Sequence, residues 1–142
     1  MRENEFLEME FGEVTLGDLL LAKPNKTLIT ATLGDSIRKV MTNMRQNAIS
    51  QMPVTGIDGS LAGTIEEVDL LNHVLENGHN HSPDEPIDLL VQNAKAVFPA
   101  ETSLGDAMSL LTAGYALIIA EQAKPTGILT KIDILDYVSG KM

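Results

Sequence analysis

The sequence predicts an α+β fold made of two β-α-β-β-α repeats packed sheet to sheet about a pseudo-twofold axis. Three observations predict it. First, one phrase occurs twice, as Gly63-Thr64-Ile65-Glu66-Glu67-Val68-Asp69 and as Gly127-Ile128-Leu129-Thr130-Lys131-Ile132-Asp133. Each copy reads glycine, two residues, an oxygen-bearing residue, two residues and aspartate, then an apolar stripe at helical spacing. Second, a helical pattern precedes each copy, at Ile37, Val40, Met41 and Met44 and again 67 positions later at Leu104, Ala107, Met108 and Leu111. Third, strand-like apolar runs flank those helices in the same order. A repeat this regular fixes the architecture before residue propensities are weighed.

In chain order, a short lead-in helix is expected at Gly17-Asp18-Leu19-Leu20-Leu21, with an echo at Ile87-Asp88-Leu89-Leu90-Val91. A strand follows each, Thr27–Ala31 and Ala96–Pro99. Asp35 or Ser36 can cap the next helix in the first repeat, and Thr102 or Ser103 in the second. The runs Ala48–Val54 and Tyr115–Ala120 then read as strands. Asp58-Gly59 marks the first hairpin turn, and Lys124-Pro125-Thr126 is expected to form the second. The motif glycines lie 64 positions apart, so the second hairpin is three residues shorter than the first. The expected division is an N-terminal extension over 1–12, a first repeat over 13–76, a linker over 77–84 and a second repeat over 85–142. The linker is rich in Gly, Pro, Asn and Asp.

Composition bounds the chemistry. A chain of 142 residues suits one domain or two small halves sharing a core. Aromatics are 4% and Trp is absent, so the core must come from aliphatic residues and seven Met. No cysteine is present, which removes disulfides, thiol catalysis and cysteine-based zinc sites. The net charge of −10 repels phosphate backbones and argues against nucleic-acid binding. No apolar run approaches the ~18 residues of a membrane helix. The acidic start Met1-Arg2-Glu3-Asn4-Glu5 is unlike a signal peptide. A cytoplasmic protein without membrane contact is expected.

Ser50-Gln51-Met52-Pro53-Val54, then Asp58-Gly59, then Gly63 through Asp69, within a β-α-β-β-α repeat, resembles a CBS domain. Two in tandem resemble a Bateman module, from about Thr15 to Val138. The segments Ala48–Val54 and Tyr115–Glu121, with Lys124–Thr130, also resemble the C-terminal regulatory region of cystathionine β-synthase. Nothing resembles a pyridoxal-phosphate lysine site, so a regulatory fragment or stand-alone relative is implied, not an enzyme, and no cofactor.

The resemblance implies a small adenosyl ligand bound between the repeats, with the motif aspartate accepting hydrogen bonds from both ribose hydroxyls. A carboxylate suits two adjacent donors because it offers two acceptor oxygens. One cleft would take Thr130, Ile132 and Asp133 from the second repeat. The first repeat would supply Thr27, Leu28, Ile29, Ser50, Gln51, Met52 and Pro53, with Ile49 or Met52 against the purine. The other cleft would take Glu66, Val68 and Asp69 with Val97, Phe98, Leu117, Ile118 and Ile119. It departs from the family pattern, because Glu66 stands where Thr or Ser is usual. Phosphate-binding CBS sites usually carry Arg, Lys or His before the Pro-Val strand. Here Ser50 and Gln51 stand there, and Lys26 and Lys131 are the nearest cations. A phosphate-free ligand is therefore expected, S-adenosylmethionine first, with AMP or ATP sensing and ligand-free dimerisation as rivals. The resemblance also implies a homodimer and a possible catalytic core as partner.

Asp69 and Asp133 also suit a plainer role, as helix N-terminal acids that offset the dipole. His73, His79 and His81 are read as solvated residues, so no metal site is expected. No nucleophile–base–acid arrangement or phosphate-binding loop is present.

Overall fold

Thr15 opens the first helix, α1 (Leu16–Ala22), through a capping box. Its Oγ1 accepts from the Asp18 amide at 3.1 Å, and its own amide donates to Asp18 Oδ2 at 3.2 Å. Described in the computed structural model are residues 13–24, 27–76 and 82–141. The expected extension over 1–12, Lys26, and linker residues 77–81 with His79 and His81 lie outside them. The elements after α1 are β1 (Ala31–Thr32), α2 (Ile37–Asn47), β2 (Gln51–Thr55), β3 (Leu61–Glu66) and α3 (Glu67–Glu76). A 3₁₀ turn (Asp88–Leu90) precedes β4 (Val97–Phe98), α4 (Leu104–Thr112), β5 (Leu117–Glu121), β6 (Lys124–Leu129) and α5 (Lys131–Lys141).

The fold class follows the sequence expectation: each repeat contributes one three-stranded sheet and its helices. The chain forms two compact units, Ile29–Ala94 and Met1–Leu28 with Lys95–Met142. In the first, β2 pairs parallel with β1 and antiparallel with β3. Its core is Ile37, Val40, Met44, Met52, Ile65 and Leu70, with Val54 and Ile87 equally buried. Ser36, not Asp35, supplies the α2 cap, its Oγ accepting from the Lys39 amide at 3.1 Å. Ala48 ends α2 in the left-handed region at φ 53°, so the strand begins at Gln51 and not at Ala48. The Thr32 amide donates to Asp35 Oδ2 at 2.9 Å, which turns the chain out of β1.

In the second unit, β5 pairs parallel with β4 and antiparallel with β6. Leu16, Ala107, Leu117, Ile119 and Leu129 are fully buried there. Ser103 caps α4, accepting from the Asp106 amide at 3.2 Å.

The β5–β6 turn corrects the sequence reading. It consists of Gln122 and Ala123 at φ 52° and 68°, and Lys124-Pro125-Thr126 belongs to β6. Two central residues at positive φ make a tight hairpin link, but Gln-Ala lacks the Asn-Gly signature of such turns. Pro125 is accommodated because it faces Ala120 next to a register shift, where the ladder is already irregular.

Each lead-in segment packs on the other repeat's elements. Leu16 N donates to Thr102 O at 2.8 Å, Gly17 N to Ala100 O at 2.8 Å, and Leu104 N to Val14 O at 2.7 Å. Symmetrically, Ile37 N donates to Glu85 O at 2.9 Å and Ile87 N to Asp35 O at 2.9 Å. Thr64 and Gln92 exchange both backbone hydrogen bonds, at 2.8 and 2.9 Å. The compact units are thus composed differently from the linear repeats, with residues 13–28 in one and 85–94 in the other. This arrangement brings a lead-in residue to each motif aspartate.

Candidate functional site

Both motif copies run a strand directly into a helix, β3 into α3 and β6 into α5. The helix starts leave backbone N–H groups without intrahelical partners, so oxygen-bearing side chains gather there. The motif glycines let the lead-in segments approach. A Cβ on Gly63 would stand 2.2 Å from the Gln92 carbonyl oxygen, and one on Gly127 would stand 2.7 Å from the Leu20 methyl groups.

At the second junction, Asp133 accepts three donors on Oδ2: the Thr130 amide at 2.9 Å, Thr130 Oγ1 at 3.1 Å and Lys23 Nζ at 3.2 Å. Lys23 Nζ also donates to the Ile128 carbonyl at 2.8 Å. The pair is mostly shielded, with side-chain exposures of 18% for Lys23 and 15% for Asp133. Three donors on Oδ2 leave Oδ1 with its acceptor capacity, and a sugar diol would have to meet the carboxylate there or displace a donor.

At the first junction, Gln92 Nε2 donates to Asp69 Oδ2 in a short hydrogen bond. The backbone of Glu67 donates to the Ser50 carbonyl at 2.8 Å, tying α3 to the start of β2. Glu66 offers no hydroxyl to Asp69, so the local support that Thr130 gives Asp133 has no counterpart.

The remaining expected site residues divide by burial. In one unit Met52 and Pro53 are buried in β2, Ile29, Ile49 and Gln51 are half-buried, and Ser50 is exposed. Val68 is 53% exposed on α3. In the other unit Leu117, Ile118 and Ile119 are buried, Phe98 and Leu28 are half-buried, and Thr27 and Val97 are exposed. Ile132 is 61% exposed on α5. Met52 packs with Ile37, Val40 and Ile65 in its unit's core.

Lys23 and Gln92 went unnoticed in the sequence. The only hint is the echo between the two lead-ins, since each residue lies just beyond one. Lys131, by contrast, is exposed. His73 lies 3.2 Å from Glu85 Oε2, and among the described residues no three metal-ligating side chains converge. No helix among the described residues is long and apolar enough to cross a membrane.

A strand–helix junction with an aspartate in the first turn of its helix is present twice, on two β-α-β-β-α repeats, and the aspartate is shielded in the second. The CBS-domain family matches residues 16–76 and 89–140, and the chain belongs to that family as a CBS pair. A CBS-domain protein of unknown function from Bacillus anthracis superposes with a TM-score of 0.78 at 18% identity, covering 95% of this chain and 99% of its own. The CBS domain pair of protein MJ0100, solved with 5′-methylthioadenosine and S-adenosyl-L-methionine, gives 0.73 at 18% identity, covering 91% and 98%. These likenesses show the fold. In sequence, the A-adding tRNA nucleotidyltransferase of Aquifex aeolicus is 30% identical over 105 residues, 72% of this chain but 12% of that protein. The uncharacterized protein MJ1404 of Methanocaldococcus jannaschii is 24% identical, over 80% of this chain and 30% of its own length. The chain thus spans well under half of either relative. CBS pairs are regulatory modules, not catalytic ones.

Proposed function

We propose that this CBS pair senses a small adenosyl ligand, with S-adenosylmethionine as the first candidate, and passes its occupancy to a partner or catalytic core. The observation that supports this is the Asp133 carboxylate. It is shielded, oriented by Thr130 through both amide and hydroxyl, and keeps Oδ1 for a further donor. That is the chemistry a ribose diol requires, and the motif is the one by which the family resemblance assigns sugar binding. The family's ligand mode would add Thr130 and Ile132, and from the first repeat Thr27, Leu28, Ile29 and the Ile49–Pro53 segment. The crystallised complex of the MJ0100 pair lends weight to an adenosyl ligand. Coupling to a partner is limited to the ligand's differential affinity for two arrangements of the module.

The test is calorimetry with S-adenosylmethionine, AMP and ATP on the wild-type chain and on Asp133→Ala. Loss of two charge-assisted hydrogen bonds predicts ~2–4 kcal/mol weaker binding. Unchanged affinity would remove Asp133 from the site. Tighter binding of AMP or ATP would favour energy sensing, a second reading supported by the Lys23 ammonium beside Asp133.

Pairing into a homodimer is also part of the proposal. Val68, Leu71 and Leu75 line one face of α3 at 53%, 37% and 75% exposure, as do Ile132 and Leu135 on α5 at 61% and 59%. Sedimentation would show a dimer, and a thermal shift absent with every adenosyl compound would leave assembly as the sole role. A cystathionine β-synthase core as partner is the narrowest form of this reading. It is supported only by the likeness of Ala48–Val54 and Tyr115–Thr130 to that enzyme's regulatory region.

A further inference from the structure

We infer that Lys23 is a displaceable counter-ion that makes the Asp133 site select adenosyl ligands carrying an anionic group over bare nucleosides. This rests on the proposed adenosyl reading and goes beyond it, by naming the charge class of the ligand and the residue that sets it.

Asp133 Oδ2 is crowded by the Thr130 amide, the Thr130 hydroxyl and the Lys23 ammonium, at 2.9, 3.1 and 3.2 Å. A carboxylate oxygen has two lone pairs, so three donors already exceed the comfortable number on Oδ2, while Oδ1 keeps its capacity. A vicinal diol presents its two hydroxyls side by side, one to each carboxylate oxygen, so the first meets Oδ1 and the second needs a place on Oδ2. The donors able to leave are unequal. Thr130 lies three residues before Asp133 and its amide is fixed by the turn into α5. Lys23 reaches the carboxylate from the far end of α1 on a flexible four-carbon stem. Its ammonium is therefore the group that yields.

The yielding ammonium remains in a poorly hydrated place. Its side chain is 18% exposed, and its other contact is the Ile128 carbonyl at 2.8 Å, a neutral dipole. A shielded cation that loses its counter-ion is disfavoured unless a new anion replaces it. A ligand with a phosphate or a carboxylate attached to the nucleoside supplies that anion. Adenosine and 5′-methylthioadenosine do not, and each must leave the ammonium uncompensated. AMP offers a phosphate, and S-adenosylmethionine offers the carboxylate of its methionyl group. Both belong to the favoured class despite their different overall charge.

Calorimetry on the full chain with these four compounds, on wild type, Lys23→Met and Lys23→Arg, tests the inference. Wild type should bind the anion-bearing pair at least about tenfold more tightly than the neutral pair. Lys23→Met should narrow that ratio about tenfold, chiefly by tightening adenosine and 5′-methylthioadenosine, while Lys23→Arg keeps it. The compound that loses most in Lys23→Met identifies the anion as phosphate or carboxylate. An unchanged ratio in a Lys23→Met chain that melts cooperatively would overturn the inference alone. So would equal weakening of all four compounds, which marks a purely structural lysine. If Lys23→Met fails to fold, Lys23→Gln gives the same readout. A wild-type chain that binds none of the four would overturn the adenosyl reading itself, and this inference with it.

Discussion

The two motif junctions share a sequence pattern, a strand-to-helix passage and an aspartate in the first turn of the helix, yet their aspartates live in different electrostatic settings. Asp133 has a cation from α1 and a threonine that serves it with two donors. Asp69 has the neutral amide of Gln92, and Glu66 in the threonine's place. The glycines differ in the same sense. Gly63 faces backbone, at the Gln92 carbonyl, whereas Gly127 faces the tip of the Leu20 side chain. The comparison teaches that a repeated motif fixes where a carboxylate stands, while the segment packed against it fixes what that carboxylate can do. One junction is held by a neutral amide, the other by a charged pair.

The largest expected effect lies at the glycines. Gly63→Ala puts a methyl group 2.2 Å from a carbonyl oxygen held in a two-bond bridge with Thr64, so backbone must move. Urea denaturation should show a loss of about 3 kcal/mol. Gly127→Ala meets only rotatable leucine methyls, and about 1 kcal/mol is expected. Equal losses would mean that the two lead-ins pack alike.

Next come the carboxylates. Asp133→Ala strands a largely shielded ammonium and should destabilise the chain by about 3 kcal/mol. Asp69→Ala removes one partner from an exposed amide that water can satisfy and should cost no more than about 0.5 kcal/mol. A Lys23→Met, Asp133→Ala double variant should recover part of the first loss, because the stranded charge is gone. Additive single effects in that cycle would show that Lys23 and Asp133 are not coupled. This cycle also keeps the binding test clean, since Asp133→Ala acts on stability as well as on ligand.

The smallest effect sharpens the comparison most. Glu66→Thr gives the first junction the second's hydroxyl and removes a like charge three residues from Asp69. A gain of about 0.5 kcal/mol in stability is expected. No second binding event is expected, because the Gln92 amide still holds Asp69 Oδ2 and, among the described residues, no cation stands beside it to meet an anionic group. Calorimetry that detects a second binding event in this variant would assign the difference between the junctions to Glu66 rather than to the lead-in segment.

Much of this was legible in the linear chain. The 64- and 67-residue offsets placed the antiparallel strand pair of each sheet and all four principal helices, because apolar periodicity reports the buried face of an element locally, whereas the strand expected over Thr27–Ala31 is confined to Ala31–Thr32, where it pairs with β2. Asp133 and Thr130 were legible as a pair, because capping geometry spans only three residues. The Gln122-Ala123 turn was not, since positive φ there is imposed by strand pairing and carries no glycine or asparagine signature. Met52 was expected as one of two purine contacts, and its burial with Ile37 and Ile65 depends on which sheet face the helices cover.

What the sequence determined by itself is therefore the repeated unit, its order of elements and the aspartate at each strand–helix junction. These depend on neighbours a few residues apart. Tertiary structure alone decided that each lead-in packs on the other repeat's elements, and so that Lys23 meets Asp133 across more than a hundred residues of chain while Gln92 meets Asp69. No local pattern encodes such a meeting, because the energy that selects it is the burial of Leu16, Leu19 and Ile87 in the assembled cores.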